Sequence, residues 1–299
     1  MQIYQSKNII IRRFQLGNDM ERNFFYLLKN SLKIKQDKLI PPSLSRKKSK
    51  FSINERKGFQ VVKESIIGKN IVIESKKLID KIDFSDRIKH NNGKEYLITN
   101  NVNSSLINDY PDILKYALNE SLILSISKYL GEIPVLRYID VWYSKKQKSE
   151  NYHGSQLFHC DWEDQRQIKV FTAISPINHK SGALNLIDAK TSDYIKNKLN
   201  YRYGKKLKDN YIYDLIEKSK LKTLSGDSGT MFICDTSRCF HYGSRINNKD
   251  ENRLVAIFQF LRPSAIGMNK EYIRQLPFRE INQSWMTEMQ KFVLSGRNV

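Results

Sequence analysis

The stretch Gln156-Leu157-Phe158-His159-Cys160-Asp161-Trp162 is a short apolar run that closes on a His-x-Asp pair. Read as a β-strand, it sends residues i and i+2 out of one face, so His159 and Asp161 point together while Cys160 points away. An imidazole and a carboxylate then meet at one place. They are two members of a 2-His-1-carboxylate facial triad, the donor set that holds non-haem Fe(II) on one side and leaves the other positions open. A second histidine has to come from elsewhere in the chain.

It is available further on, between Gly226 and Ser244. A Gly-rich turn leads into the apolar run Met231-Phe232-Ile233-Cys234, then a polar loop, then His241, then a turn and a second strand-like run from Arg253 to Leu261. With residues 242–252 as a hairpin connection, Arg253 lies beside His241 and can turn its guanidinium inward to hold a carboxylate through two charge-assisted hydrogen bonds. Iron ligands plus a carboxylate clamp are what a 2-oxoglutarate enzyme needs. Arg245 is the rival clamp, in the turn soon after His241 and so less well placed to face inward. Each residue also has an ordinary alternative: His159 as a core histidine bonded to backbone, Asp161 as a turn cap, His241 as a loop residue, Arg253 as a surface partner of Asp250 or Glu251. His153 and His179 read as surface residues, and a zinc site built from His153, His159 and Asp161 lacks an accompanying general base.

With these residues in this order, the chain resembles the phytanoyl-CoA dioxygenase family of Fe(II)/2-oxoglutarate oxygenases. The similarity covers about residues 105–262. Phe171-Thr172-Ala173-Ile174-Ser175-Pro176-Ile177 followed by Ser181-Gly182-Ala183-Leu184 resembles the family's strand, turn and strand after His-x-Asp, and Gly226-Asp227 resembles its Gly-Asp turn. A helix ending in Tyr129-Leu130-Gly131 before the strand at Val135 is similar too. Two places depart. Ala189-Lys190-Thr191-Ser192 stands where many relatives have Pro-Gly-Ser-His, and Gly243 replaces the Ser found two positions after the distal His, a contact that Ser244 can supply.

The resemblance implies a mainly β fold with helical additions (α+β): a double-stranded β-helix, or jelly roll, flanked by helices. It implies Fe(II) on His159, Asp161 and His241, and 2-oxoglutarate reaching Arg253, with Ser244, Phe171 and Thr172 beside it. Dioxygen is then the oxidant, succinate and carbon dioxide are products, and hydroxylation of an unactivated carbon is the default outcome. Halogenating relatives replace the carboxylate ligand with a small residue, so Asp161 argues against halogenation.

The 299 residues carry 51 Lys and Arg against 31 Asp and Glu, a formal charge of +20. Such a charge raises nucleic acid or another acidic partner, but the lysines are spread widely and nothing marks a base-stacking platform. The expected substrate is a small molecule, free or bound to a carrier; an oxygenase of nucleic acid and a non-catalytic jelly-roll binding protein are the alternatives. Three cysteines, Cys160, Cys234 and Cys239, show no paired spacing. No leader or membrane-length apolar run is visible, so a cytoplasmic protein is expected. The oligomeric state is not legible.

One oxygenase domain over residues 1–299 is expected: an N-terminal helical and extended cover (1–104), a jelly-roll core with its preceding helix (105–265), and a C-terminal helix (266–299). Short strands are expected at 8–12, 71–73 and 96–98, a helix from about Asn18 with Phe24, Phe25, Leu27, Leu28 and Leu32 on one side, and a single helix from Pro111 to Leu130. Strands follow at 135–145, 156–161, 168–176, 183–187, 229–234 and 253–262, and strands joined by turns imply antiparallel sheets. The basic arm at 35–57 reads as a solvated loop or a contact for an acidic partner. The insertion at 188–225, rich in tyrosine and lysine, reads as a lid, as pocket lining or as packing onto the outer sheet.

Overall fold

The computed structural model describes residues 9–31, 46–63, 66–80, 96–146, 151–246 and 248–296. The strands are β1 (Phe59–Val62), β2 (Leu97–Val102), β3 (Val135–Lys145), β4 (Gln167–Ala173), β5 (Leu184–Ile187), β6 (Leu221–Leu224), β7 (Met231–Asp235), β8 (His241–Tyr242) and β9 (Asn252–Leu261). They form a six-stranded sheet, ordered β1-β7-β4-β9-β3-β2, facing a three-stranded sheet, ordered β6-β5-β8. Every named pairing is antiparallel. The stretch at 156–161 is not a full strand. It is a 3-10 turn at Gly154–Gln156 followed by isolated bridges, of which His159 opposite His241 extends the small sheet by one more row.

Strand alternation makes the two faces of the large sheet chemically different. On β4, Ile168 and Val170 point outward into the main apolar core, which is shared with the helices. Phe171 and Ala173 point inward, toward the small sheet. On β9, Ala256, Phe258 and Phe260 take the outer side, and Val255 and Ile257 the inner one. The outer core is the main source of stability: Phe258 is fully buried with its ring 4.9 Å from that of Tyr116, and truncating such a residue to Ala costs about 3–5 kcal/mol.

One irregularity governs β3. Leu136 pairs with Phe260 and Tyr138 with Gln259, so Arg137 is an extra residue in a β-bulge. The doubled position resets the alternation, and Leu136 and Ile139 face the helices while Tyr138 faces inward.

Helices supply the outer layer: α1 (Ile9–Gln15), α2 (Asp19–Ser31), α3 (Ile66–Asp80), α4 (Ser104–Asp109), α5 (Pro111–Ala117) and α6 (Glu120–Leu130) before the core strands. Within or after them come α7 (Ala189–Leu199), α8 (Asp209–Tyr213), α9 (Lys270–Arg274) and α10 (Glu288–Ser295). Several expectations are corrected. The runs at 9–12 and 71–73 are helical, because their β-branched residues sit inside longer segments whose ends and packing favour helix. The helix expected over 111–130 is two: Asn119 interrupts it, its side chain accepting from Leu122 N at 3.1 Å as the cap of α6, while apolar periodicity runs on across the break. Gly131 closes α6 in the left-handed conformation, as expected. On α2, Phe24, Leu27 and Leu28 are exposed, so they do not pack as anticipated; Leu32 lies outside the described residues.

The N-terminal cover does more than cover, since β1 and β2 are the two edges of the large sheet. The insertion ends in a barrel strand, β6, and its Tyr201 and Tyr203 pack with Phe158 and Phe240 in one cluster, Tyr203 also lining an open cavity of about 440 Å³ with Arg12, Trp162 and Arg202. Of the basic arm, 46–57 is described. There Lys47 pairs with Glu120 at 2.7 Å, and Phe51 and Ile53 enter the core.

Candidate metal and carboxylate site

His159 and His241 sit directly opposite each other, exchanging backbone hydrogen bonds of 3.0 and 2.9 Å. Their side chains therefore leave the same face, with ring centroids 4.3 Å apart. Asp161, whose N–H donates to Thr236 O at 2.8 Å, brings its carboxylate beneath both. His159 Nε2 lies 4.0 Å from Oδ1 and His241 Nε2 lies 3.9 Å from Oδ2. Among the described residues these three form the group whose donor atoms, all within 4.8 Å of one another, could hold a metal ion.

The tautomers are set from behind. His159 Nδ1 is 2.8 Å from Leu157 O and His241 Nδ1 is 3.0 Å from Cys239 O. A ring nitrogen facing a carbonyl carries the proton, which leaves Nε2 of each ring as a bare lone pair aimed at the shared space. Burial lowers the pKa of both imidazoles, against the pull of Asp161, so both stay neutral and able to ligate. For Asp161, burial pushes upward but the Lys169 ammonium outweighs it, holding the carboxyl well below its usual range. Its Oδ2 is buried with Lys169 Nζ 2.7 Å away as its ion-pair partner. A buried carboxylate and two bare imidazole nitrogens turned to one space suit a cation.

Arg253, on the first turn of strand β9 into the interior, is buried and points inward. Its Nη1 donates to Gly182 O at 2.8 Å, and its Nη2 to the hydroxyls of Ser244 at 2.7 Å and Ser144 at 3.3 Å. Every partner is neutral, and Nε has none. Burial pulls the guanidinium pKa down to about 10. The surrounding loop is built for this cation. Ser244 is in the left-handed conformation at φ 61, and a Cβ at Gly243 would come 3.1 Å from Nη1. Glycine at that position therefore makes room for the guanidinium, and the adjacent Ser244 supplies the hydroxyl.

The other site candidates divide. Phe171 is on the inner face, in the cluster between the sheets. Thr172 is corrected: its hydroxyl bonds to that of Tyr116 on α5, on the helix side of β4, because neighbouring residues of a strand face opposite ways. Arg245 is committed elsewhere. Its two Nη atoms hold Asp209 at 2.8 and 2.7 Å, and its guanidinium lies 3.5 Å over the Tyr242 ring. His153 caps the turn at 154–156 and His179 is exposed. Lys169 was missed in the sequence. The signal is there, a lysine at an inward position inside the otherwise apolar run from Ile168 to Ile174.

No protein-family model and no curated protein sequence matches the chain. Solved structures do. EctD from S. alaskensis, with 2-oxoglutarate and 5-hydroxyectoine, superposes with a TM-score of 0.52 at 13% identity, over 76% of this chain and 83% of that one. The same protein with bound Fe gives 0.50 at 13% identity, over 78% and 80%. HygX from Streptomyces hygroscopicus, with nickel and 2-oxoglutarate, gives 0.48 at 13%, over 69% and 83%. The fold is thus the jelly roll that the strand order describes, with antiparallel sheets and added helices. Among the described residues no helix is long and apolar enough to cross a membrane.

Proposed function

We propose that the protein is a non-haem Fe(II)/2-oxoglutarate-dependent dioxygenase, similar to the phytanoyl-CoA dioxygenase family, that hydroxylates an unactivated carbon of a small or carrier-bound metabolite. One observation carries the reading: a buried arginine with no acid of its own shares the interior with a His-Asp-His group that could hold a metal. Arg253 matches a carboxylate better than anything else, since its fork is preorganised and its charge uncompensated. The likeness to EctD, which binds Fe and 2-oxoglutarate, supports the same reading.

In this reading His159, Asp161 and His241 hold Fe(II), and Arg253 with Ser244 holds the far carboxylate of 2-oxoglutarate. With dioxygen, the bound metal and oxo acid supply an oxidant for a C–H bond and release succinate and carbon dioxide. The chain's own part is to present neutral imidazoles through the Leu157 and Cys239 carbonyls, to keep Asp161 ionised, and to surround the site with Phe171, Val255 and Ile257, which exclude water.

An anaerobic absorption titration of metal-free protein with Fe(II) and 2-oxoglutarate tests the assignment. A weak visible charge-transfer band should need both additions, vanish in His241→Ala, and require at least tenfold more oxo acid in Arg253→Ala. A folded native protein that develops no band rules the assignment out and leaves a binding module.

A further inference from the structure

We infer that the substrate of this enzyme carries an anionic group, a carboxylate or a phosphate or sulfate ester, and that Lys169 is the residue that receives it. The inference rests on the function proposed above. Lys169 is buried on the inner face of β4, and its Nζ is 2.7 Å from Asp161 Oδ2. Its side chain keeps 10% of its surface and that of Asp161 12%, so the pair borders reachable space.

The remaining carboxylates near Lys169 are occupied. Glu163 is held by Arg137 at 2.8 Å and faces Gln167, while Asp140 accepts from Asn101 at 2.8 Å and from the Trp142 indole at 3.1 Å. Asp161 is thus the one ion-pair partner of Lys169 among the described residues. That pairing cannot persist unchanged once Asp161 ligates a cation. The charges of a dication, the Asp161 carboxylate and the metal-side carboxylate of the oxo acid cancel. The far carboxylate and Arg253 cancel as well. The nearby Asp140 balances the charge of Lys169 but is turned to Asn101 and Trp142, so the ammonium loses the one carboxylate in contact with it, in an interior where that is unfavourable.

Geometry separates the two cations. In the β4–β9 register Lys169 lies opposite Gln259, whereas Arg253 is at the start of β9, so their backbones are roughly 20 Å apart along the strand. The oxo acid reaches toward Arg253. Lys169 therefore serves what arrives from the other end.

The test uses Ni(II) in place of Fe(II), saturating 2-oxoglutarate, and acetate and sulfate as probes, followed by calorimetry and by tryptophan fluorescence. The loaded native protein should bind one acetate or sulfate with a millimolar dissociation constant. Lys169→Met and Lys169→Gln should weaken this at least tenfold, Lys169→Arg should keep it within a few fold, and metal-free native protein should bind tenfold more weakly because Asp161 still holds the ammonium. Nickel and 2-oxoglutarate binding are measured first in every variant. If they fail in the native protein, the site assignment fails and this inference falls with it. If they succeed but the probe does not bind, or binds equally in Lys169→Met, the inference alone is overturned and Lys169 merely positions Asp161. Should Lys169→Met not fold, the Gln and Arg variants decide.

Discussion

The two ends of the space between the sheets treat buried charge in opposite ways. Toward the start of β3 and the end of β9, three cations have an acid: Arg262 grips Asp164 at 2.7 and 3.0 Å, Arg137 meets Glu163 at 2.8 Å, and Lys169 meets Asp161 at 2.7 Å. At the start of β9, Arg253 has only a carbonyl and two hydroxyls. Matched pairs read as scaffold, and so does Arg22, buried on the carbonyls of Gln15, Trp162 and Asp164, whereas Arg253 shares the interior with the His-Asp-His group and is an invitation to a ligand. The unfavourable cost of holding it, about 3 kcal/mol for a guanidinium drawn from 12.5 to about 10, is what a bound carboxylate recovers.

The largest test of this difference removes one acid. Asp164→Ala strands Arg262, whose side chain is 7% exposed, and should lower the unfolding free energy by about 3–5 kcal/mol in urea. Arg253→Met in ligand-free protein should stay within about 1 kcal/mol of native, because it removes a charge that nothing balances. Equal losses would erase the distinction.

Next comes the converse case, a buried carboxylate pushed upward. Burial raises Asp235 to about 6 despite donors from Tyr129 and the Ser237 and Arg238 amides. Its folded pKa is above its ordinary 3.8, so the stability it contributes is complete below that value and is lost as pH rises through about 6. Asp235→Asn should flatten the urea-unfolding profile across that window by on the order of 3 kcal/mol. An unchanged slope would mean that the carboxyl is solvated.

A comparable but smaller gain should come from ligand. At a hundred times its dissociation constant, 2-oxoglutarate should stabilise metal-free protein by about 2.7 kcal/mol, and Arg253→Met should abolish the gain. Smallest of all, Arg245→Lys breaks a fork onto the half-exposed Asp209 and should cost no more than about 1 kcal/mol, leaving the response to 2-oxoglutarate intact. A lost response would make Arg245 the clamp after all.

That His159, Asp161 and His241 come together and that Arg253 turns inward was legible in the sequence, because a His-x-Asp pair and an arginine opening a strand carry local geometry with them. What was not legible is the facing of residues whose partner is distant. Thr172 and Lys169 lie in one strand, three residues apart and so on opposite faces, and only the packing of helices on one side and the small sheet on the other decides that one meets Tyr116 and the other Asp161. The runs at 9–12 and 71–73 are helical and not extended for a related reason: β-branched residues favour strands weakly, and context overrides them. Edge strand β1 is not legible in the sequence because four half-buried residues give too short a pattern.

The bulge at Arg137 has a consequence for how β3 tolerates change in length. Because that residue is supernumerary, its deletion would leave Tyr138 opposite Gln259 and Ser144 opposite Arg253, and every later side chain would keep its face. Removing any residue from 139 to 143 would shift the strand's reading frame and turn Ser144 away from the guanidinium it supports. A single-residue deletion scan along β3 should therefore preserve the register only at the bulge, where the loss is that of the Arg137–Glu163 pair rather than of the strand's facing.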